Sequence, residues 1–283
     1  MTIESTPLVS VLLPVYNAGK YIHEALESII GQTYSDFELV VVDDGSTDES
    51  VKVVEAYSEK DARIRLITNR HDFIDSLNLG LSVCRGKYVA RMDADDKMKP
   101  HRLAEQIAVM ESHPEIAFCS SYMQHMGADV VYKSDLCGKI EQLAITLLLG
   151  NFISHPTVML RREFLFSNEL GYRKGYNYAE DYKLWVDIAL VGGQLYVVPE
   201  PLIEYRISEE QTSAIYHEEQ YDVALKIRNE LLQVLLNRKD LCWSSELLDL
   251  YRVLSHINEQ NLLSPEEIFT IFYWVLMRKE STE

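Results

Sequence analysis

Hydrophobic and polar positions alternate along the first half of the chain in blocks that switch between strand and helix character. LVSVLLPVY is an apolar run of strand length ending in Asn17, Ala18 and Gly19. In KYIHEALESII, the residues Ile22, Ala25, Leu26, Ile29 and Ile30 fall at helical spacing and share one face. FELVVVDDGS predicts a second buried strand closed by polar residues and Gly45, after which Ser46 and Glu49 match a capping box opening a helix around DESVKVVEAYSEK. IRLIT and KYVARM predict the third and fourth strands, with a helix around Leu77 and Leu81 between them. Strands that alternate with helices imply parallel β-α-β units buried on both faces, with ligands beyond the carboxyl ends of the strands. Polar residues gather at those ends: Tyr16 and Asn17, then Asp43 and Asp44, then Asp93 to Asp96.

The second half is less regular. PHRLAEQIAVMESHP predicts a helix between Pro100 and Pro114, EIAFCSS a strand, and MQHMGADVVYKSD a hairpin carrying Gly127. A helix around EQLAITLLLG precedes NFISHPTVMLRR. In YNYAEDYKLWVDIALVGG, a stripe of Leu184, Ile188 and Val191 follows Glu180 and Asp181. From about Ala214 the chain reads as acidic and all-helical, with Ser264, Pro265 and Glu267 opening a helix before IFTIFYWVLMRK. The expected organisation is a catalytic unit over 1–213, with halves 1–100 and 101–213, followed by a helical region over 214–283.

Composition narrows the classes. With 283 residues, 47% of them hydrophobic and 25% charged, the chain can build a sizeable core. Its 27 Lys+Arg against 44 Asp+Glu give a net charge of -17. That sign argues against a nucleic-acid partner, and it suits recruitment of divalent cations or simple solubility. Cys84, Cys119, Cys137 and Cys242 form no CxxC pair, which reads as reduced thiols in a cytoplasmic protein rather than a zinc site. MTIESTPLVS has no cationic stretch leading into an apolar one, and no uninterrupted apolar segment reaches bilayer length.

No Walker A loop, no G-x-G-x-x-G after the first strand and no H-E-x-x-H is present. What remains is the acidic turn of YVARMDADDK, with Asp93, Asp95 and Asp96. A D-x-D turn after a buried strand offers the oxygen ligands that Mg2+ and Mn2+ prefer, and magnesium commonly completes its shell with substrate phosphates. An isolated D-x-D is more often a solvated acidic turn with capping roles; the convergence of three polar loops on one rim favours a site. Glu180 and Asp181 at a helix start are suited to capping on their own account.

VSVLLPVYNAGKYIHEALESIIGQTYSDFELVVVDDGSTD, GKYVARMDADD, SHPTVMLRR, AEDYKLW and YRISEEQTS occur in order over Val9 to Ser213. Together they resemble the family 2 glycosyltransferases of the A-type, Rossmann-like nucleotide-sugar fold. The resemblance implies a mostly parallel sheet flanked by helices, with the C-terminal helices as an appendage it does not cover. It implies that Pro14, Val15, Tyr16 and Asn17 border the nucleoside and that Asp44 hydrogen-bonds the base; capping of the next helix is the structural alternative for Asp44. It implies that Asp93 meets ribose or metal, that Asp95 ligates Mn2+ or Mg2+, and that Asp96 supports the turn. Asp181 aligns with the general base, and Glu180 with a residue facing sugar or acceptor. One in-line displacement would invert the anomeric centre. His155 is either an acceptor-side residue or a buried, hydrogen-bonded histidine, and Arg206 either approaches the diphosphate or pairs with acids. Some relatives carry a histidine shortly after the arginine, where Ser208 is nearby here, and Leu77 stands where many carry arginine. The implied partners are a nucleotide-sugar donor, with uridine diphosphate first, and a glycan or lipid-linked acceptor in cell-surface polysaccharide or lipopolysaccharide synthesis.

Two rivals are weaker. Aspartate-based phosphotransfer needs a D-x-D-G-T context, and DADDK lacks the Gly-Thr. A non-catalytic sugar-nucleotide binder would be signalled by loss of Asp95 or Asp181, and both are present. The aromatic IFTIFYWVLMRK allows peripheral membrane contact or dimerisation, against the plainer reading that it packs on the catalytic unit.

Overall fold

The computed structural model describes residues 6–134, 136–208, 211–237, 245–260 and 262–280; Cys242 lies outside them. Four parallel strands form the first half of a mixed sheet: β1 (Val9–Val15), β2 (Phe37–Asp43), β3 (Ile64–Thr68) and β4 (Tyr88–Arg91). Helices α1 (Ile22–Ile30), α2 (Ser50–Ser58) and α3 (Phe73–Val83) connect them. All residues of β1 and β2 are buried, as expected for strands covered on both faces. Gly80 lets α3 sit directly on β1, since a Cβ there would lie 2.2 Å from Leu12 Cδ1.

The second half adds β5 (Lys97–Met98), α4 (Arg102–Ser112), β6 (Ile116–His125), β7 (Val131–Tyr132), β8 (Gly138–Ile140) and α5 (Leu143–Thr146). These are followed by β9 (Met159–Arg161), α6 (Arg162–Ser167), α7 (Glu180–Leu190) and β10 (Gln194–Tyr205). The sheet order is β3-β2-β1-β4-β9-β6-β10-β5, with β9 antiparallel to both its neighbours and β7 and β8 paired on β6 and β10. The antiparallel pairing of β5 with β10 brings Arg206, just past β10, onto the acidic turn that follows β4.

The last elements are α8 (Thr212–Ile215), α9 (His217–Asn237), α10 (Ser245–Glu259) and α11 (Pro265–Glu280). Their buried Ile227, Leu231, Phe269, Phe272 and Leu276 join Leu147, Tyr182 and Trp185 in one continuous core. The aromatic face of α11 is thus largely spent on packing, although Trp274 is exposed. No described helix is long and apolar enough to cross a membrane. The Ser264 capping box is formed: Ser264 Oγ accepts from Glu267 N–H, and Glu267 accepts from Ser264 N–H.

Two local expectations are corrected. The helix after β2 begins at Ser50, because Ser46 Oγ instead accepts from Asn17 N–H while Asp48 accepts from Ser50. Val191 leaves the α7 stripe: it is the C-cap residue and is exposed, whereas Leu184 and Ile188 are fully buried.

Candidate active site

The rim of the parallel half is built by loop-to-loop hydrogen bonds. Asn17, at φ 48, takes a left-handed conformation that Asn tolerates better than most residues. Its amide donates to Ser46, and its side-chain oxygen accepts from Thr47 N–H at 2.8 Å, so the loops after β1 and β2 are tied together. Tyr16 is half exposed and stacks on His71 at 4.2 Å. Pro14 and Val15 are buried at the end of β1. Asp44 is buried; its Oδ1 accepts from Asp72 N–H at 2.8 Å and Ser76 O–H at 2.6 Å. The carboxylate therefore pins the start of α3, not α2, with Oδ2 3.4 Å from His71 Nδ1.

The acidic turn after β4 is packed from below. Arg91, nearly inaccessible, ion-pairs with Asp93 at 2.5 Å, while its Nε and Nη1 have no protein partner. Asp96 is fully buried: Oδ1 accepts from Arg206 N–H at 2.9 Å and Oδ2 has no partner. Burial, then the Asp93 and Asp95 charges, push the Asp96 carboxyl up to about 9. Asp95 is half-buried, and burial followed by the Asp93 charge pushes it up to about 6. Arg206 Nε donates to Asp95 O at 2.8 Å, its guanidinium lies over Tyr21, and Nη2 sits 3.3 Å from Glu24. This arginine braces the turn and pairs with an acid.

Clustered hard oxygens that are costly to ionise together are a donor set for Mn2+ or Mg2+. Among the described residues no cluster of three His, Cys, Asp or Glu is arranged as a complete metal cage. Asp93 and Asp95 are half-buried and offer carboxylate oxygens of the kind such a cation takes, without completing its shell.

The second set of acids stands at the start of α7. Asp181 Oδ2 accepts from Asn151 Nδ2 at 3.1 Å, and Oδ1 accepts from Tyr182 N–H at 2.6 Å. Burial raises the Asp181 carboxyl above its usual range, opposed by those two donors and by Arg91. Glu180 is buried and pushed up to about 7 by burial and then by Asp181. His155 is buried, 2.7 Å from Tyr172 Oη and edge-on to Trp185; burial, then Arg91, hold it neutral, which is the buried-histidine alternative. Arg91 is the residue that sequence reasoning passed over: its charge acts on Asp93, Asp95 and Asp96 on one side and on Glu180 and Asp181 on the other. The available signal was an arginine inside an otherwise apolar strand. Asn151 and Tyr172 had none, being brought in by long-range folding.

Comparison with known proteins identifies the family and the fold. A profile described as "Glycosyl transferase family 2" matches residues 10–167. An "Uncharacterized glycosyltransferase" of Haemophilus influenzae is 34% identical, over 95% of this chain and 87% of its own length. Among solved structures, S. aureus TarS 1-349 in complex with UDP-GlcNAc is similar, with a TM-score of 0.67 at 23% identity, over 82% of this chain and 67% of that one. Mannosyltransferase PcManGT from Pyrobaculum calidifontis, in complex with GDP-Man and Mn2+, gives a TM-score of 0.58 at 20% identity, over 98% and 87% of the two chains. At those identities the two structures support the fold, which is of the A-type glycosyltransferase class.

Proposed function

This chain belongs to glycosyl transferase family 2, and from that premise we propose that it is a metal-dependent, inverting transferase. It moves a sugar from a nucleoside-diphosphate donor, uridine diphosphate first, to a hydroxyl of a glycan or lipid-linked acceptor in cell-surface polysaccharide synthesis. The observation that carries this reading is a D-x-D turn at the carboxyl end of β4, braced by the buried Arg91 through its ion pair with Asp93, together with Asp181 held by Asn151 at the start of α7.

In this reading the exposed ring of Tyr16 carries the nucleobase, and Asn17 and the Asp44 loop border it. Asp95 and Asp93 hold the cation, which when bound supplies positive charge against the leaving diphosphate. Arg206 and Asp96 keep the turn in place from beneath. Asp181, with Asn151 fixing one oxygen, takes the proton from the acceptor hydroxyl as it attacks the anomeric carbon. A base with a raised pKa is better matched to that proton near neutral pH, and such a base contributes roughly 10²–10⁴ in rate. Glu180, able to carry a proton near neutral pH, can donate a hydrogen bond to a substrate oxygen. The two relatives solved with UDP-GlcNAc and with GDP-Man and Mn2+ support the donor and metal class.

A thermal-shift screen of nucleotides and nucleotide sugars, with Mn2+ or EDTA, tests the proposal on the wild type and Asp95→Ala. Ligand at about ten times Kd adds about 1.4 kcal/mol, a shift of a few degrees at most. A Mn2+-dependent shift with one nucleotide family, absent in the variant, is expected; no shift with any nucleotide would sink it.

A further inference from the structure

A second aromatic surface stands beside the proposed base, and it joins the catalytic fold to the C-terminal helices. Tyr178 lies two residues before Glu180 and holds φ at 69°, in the left-handed region. A bulky residue rarely adopts that conformation unless its surroundings fix it, and such residues concentrate at functional sites. Here the fixing group is Gln220 of α9, whose Nε2 donates to Tyr178 O at 2.7 Å. The strained backbone turns the Tyr178 ring flat against Tyr216, with centroids 4.3 Å apart and planes 10° apart. Tyr216 comes from the short stretch between α8 and α9 and is 37% exposed. Tyr178 covers one face of that ring. Tyr178 is joined through Ala179 to Glu180 at the start of α7, which sets the stack beside the acids. Exposed Ile207 and Ile215 flank the same stretch of chain.

Neither ring is needed by the core: the residues around α7 that fill it are Tyr182, Leu184, Trp185 and Ile188. A flat, amphipathic ring left open to water beside a candidate base suits a partner that is itself flat, with C–H bonds on its faces and hydroxyls at its rim. A pyranose has that chemistry. We infer that Tyr178 and Tyr216 form an acceptor subsite, in which a pyranose ring of the acceptor lies on the other face of Tyr216 and so brings a hydroxyl to Asp181.

The inference rests on the function proposed above for its second half, the delivery of a hydroxyl to Asp181; the binding of a pyranose does not depend on it. It gives the C-terminal region a role in choosing the acceptor. Gln220 becomes a positioning residue, acting through the Tyr178 backbone and not on the sugar.

The test is saturation-transfer NMR on the full chain with methyl glucopyranoside, methyl galactopyranoside and methyl N-acetylglucosaminide as probes. The variants are Tyr216→Ala, Tyr216→Phe and Asp181→Asn. The wild type and Tyr216→Phe should saturate the C–H protons of at least one probe, and Tyr216→Ala should lose that signal by about tenfold, the usual size for truncating an aromatic anchor. Thermal melting of Tyr216→Ala close to that of the wild type separates lost binding from lost folding. Asp181→Asn should retain the sugar signal. No saturation of any probe by the wild type, or equal saturation by Tyr216→Ala, overturns the subsite. The nucleotide screen above reports on the proposed function without involving Tyr216, so the two readings fail separately.

Discussion

Replacing Asp96 by Asn should make the metal-free protein more stable, by an amount that grows with pH. Asp96 is fully buried, with Oδ1 on Arg206 N–H and Oδ2 unpartnered, and its carboxyl is pushed up to about 9 against 3.8 for a free side chain. Burial is the leading cause, followed by the Asp93 and Asp95 charges. Between those two values the folded chain keeps the proton and the unfolded chain releases it. The unfolded state therefore binds fewer protons, and stability falls as pH rises through the window. One proton costs about 1.4 kcal/mol per pH unit, so the wild type should lose about 3 kcal/mol between about pH 6 and pH 8 from this group alone. Asn copies the shape of the protonated acid, keeps an acceptor for Arg206 N–H and does not titrate. Because Asp96 is uncharged in this range, the exchange leaves the field on Asp95 unchanged. The assay is urea unfolding in EDTA at several pH values, reading the difference between variant and wild type so that other titrating groups cancel. A difference independent of pH, or a variant less stable at about pH 8, would refute the reasoning.

The remaining predictions concern the base and the core. Transfer rate should decline on the acid side at a pH above the ordinary carboxylate range, because burial raises the Asp181 carboxyl and a base works only once deprotonated; a pH-rate profile whose acid limb falls at the free-carboxylate pKa of about 4 would contradict it. Trp185→Ala should cost about 3–5 kcal/mol in urea unfolding, because Trp185 is fully buried, stacked on Phe118 at 5.0 Å and edge-on to His155.

Much of the architecture was legible because its elements are long and single-minded. β1 and β2 are unbroken apolar runs, and α1 shows its buried face through Ile22, Ala25, Leu26 and Ile29. Short strands carry no period, so β5, with two residues, and β8 and β9, with three each, had no signature of their own. Pro199 and Pro201 interrupt β10, and the sheet absorbs them as register shifts between Val198 and Ile203. The acids of the candidate site were legible as motifs, but their setting was not. Which of Asp93, Asp95 and Asp96 is buried depends on Arg206, more than a hundred residues away, and the Asp44 bond to Ser76 depends on α3 docking. The C-terminal helices show an apolar stripe in the sequence but not its target, which is Leu147, Tyr182 and Trp185.

The central claim is an inverting displacement with Asp181 as base. It is tested most directly by proton NMR of the sugar released from α-linked UDP-N-acetylglucosamine or UDP-glucose in Mn2+, with water as acceptor and readings taken before mutarotation. The β anomer should appear first, and Asp181→Asn should slow its release by roughly 10²–10⁴ while nucleotide binding is kept. Release of the α anomer first, or an unchanged rate in Asp181→Asn, would contradict the account.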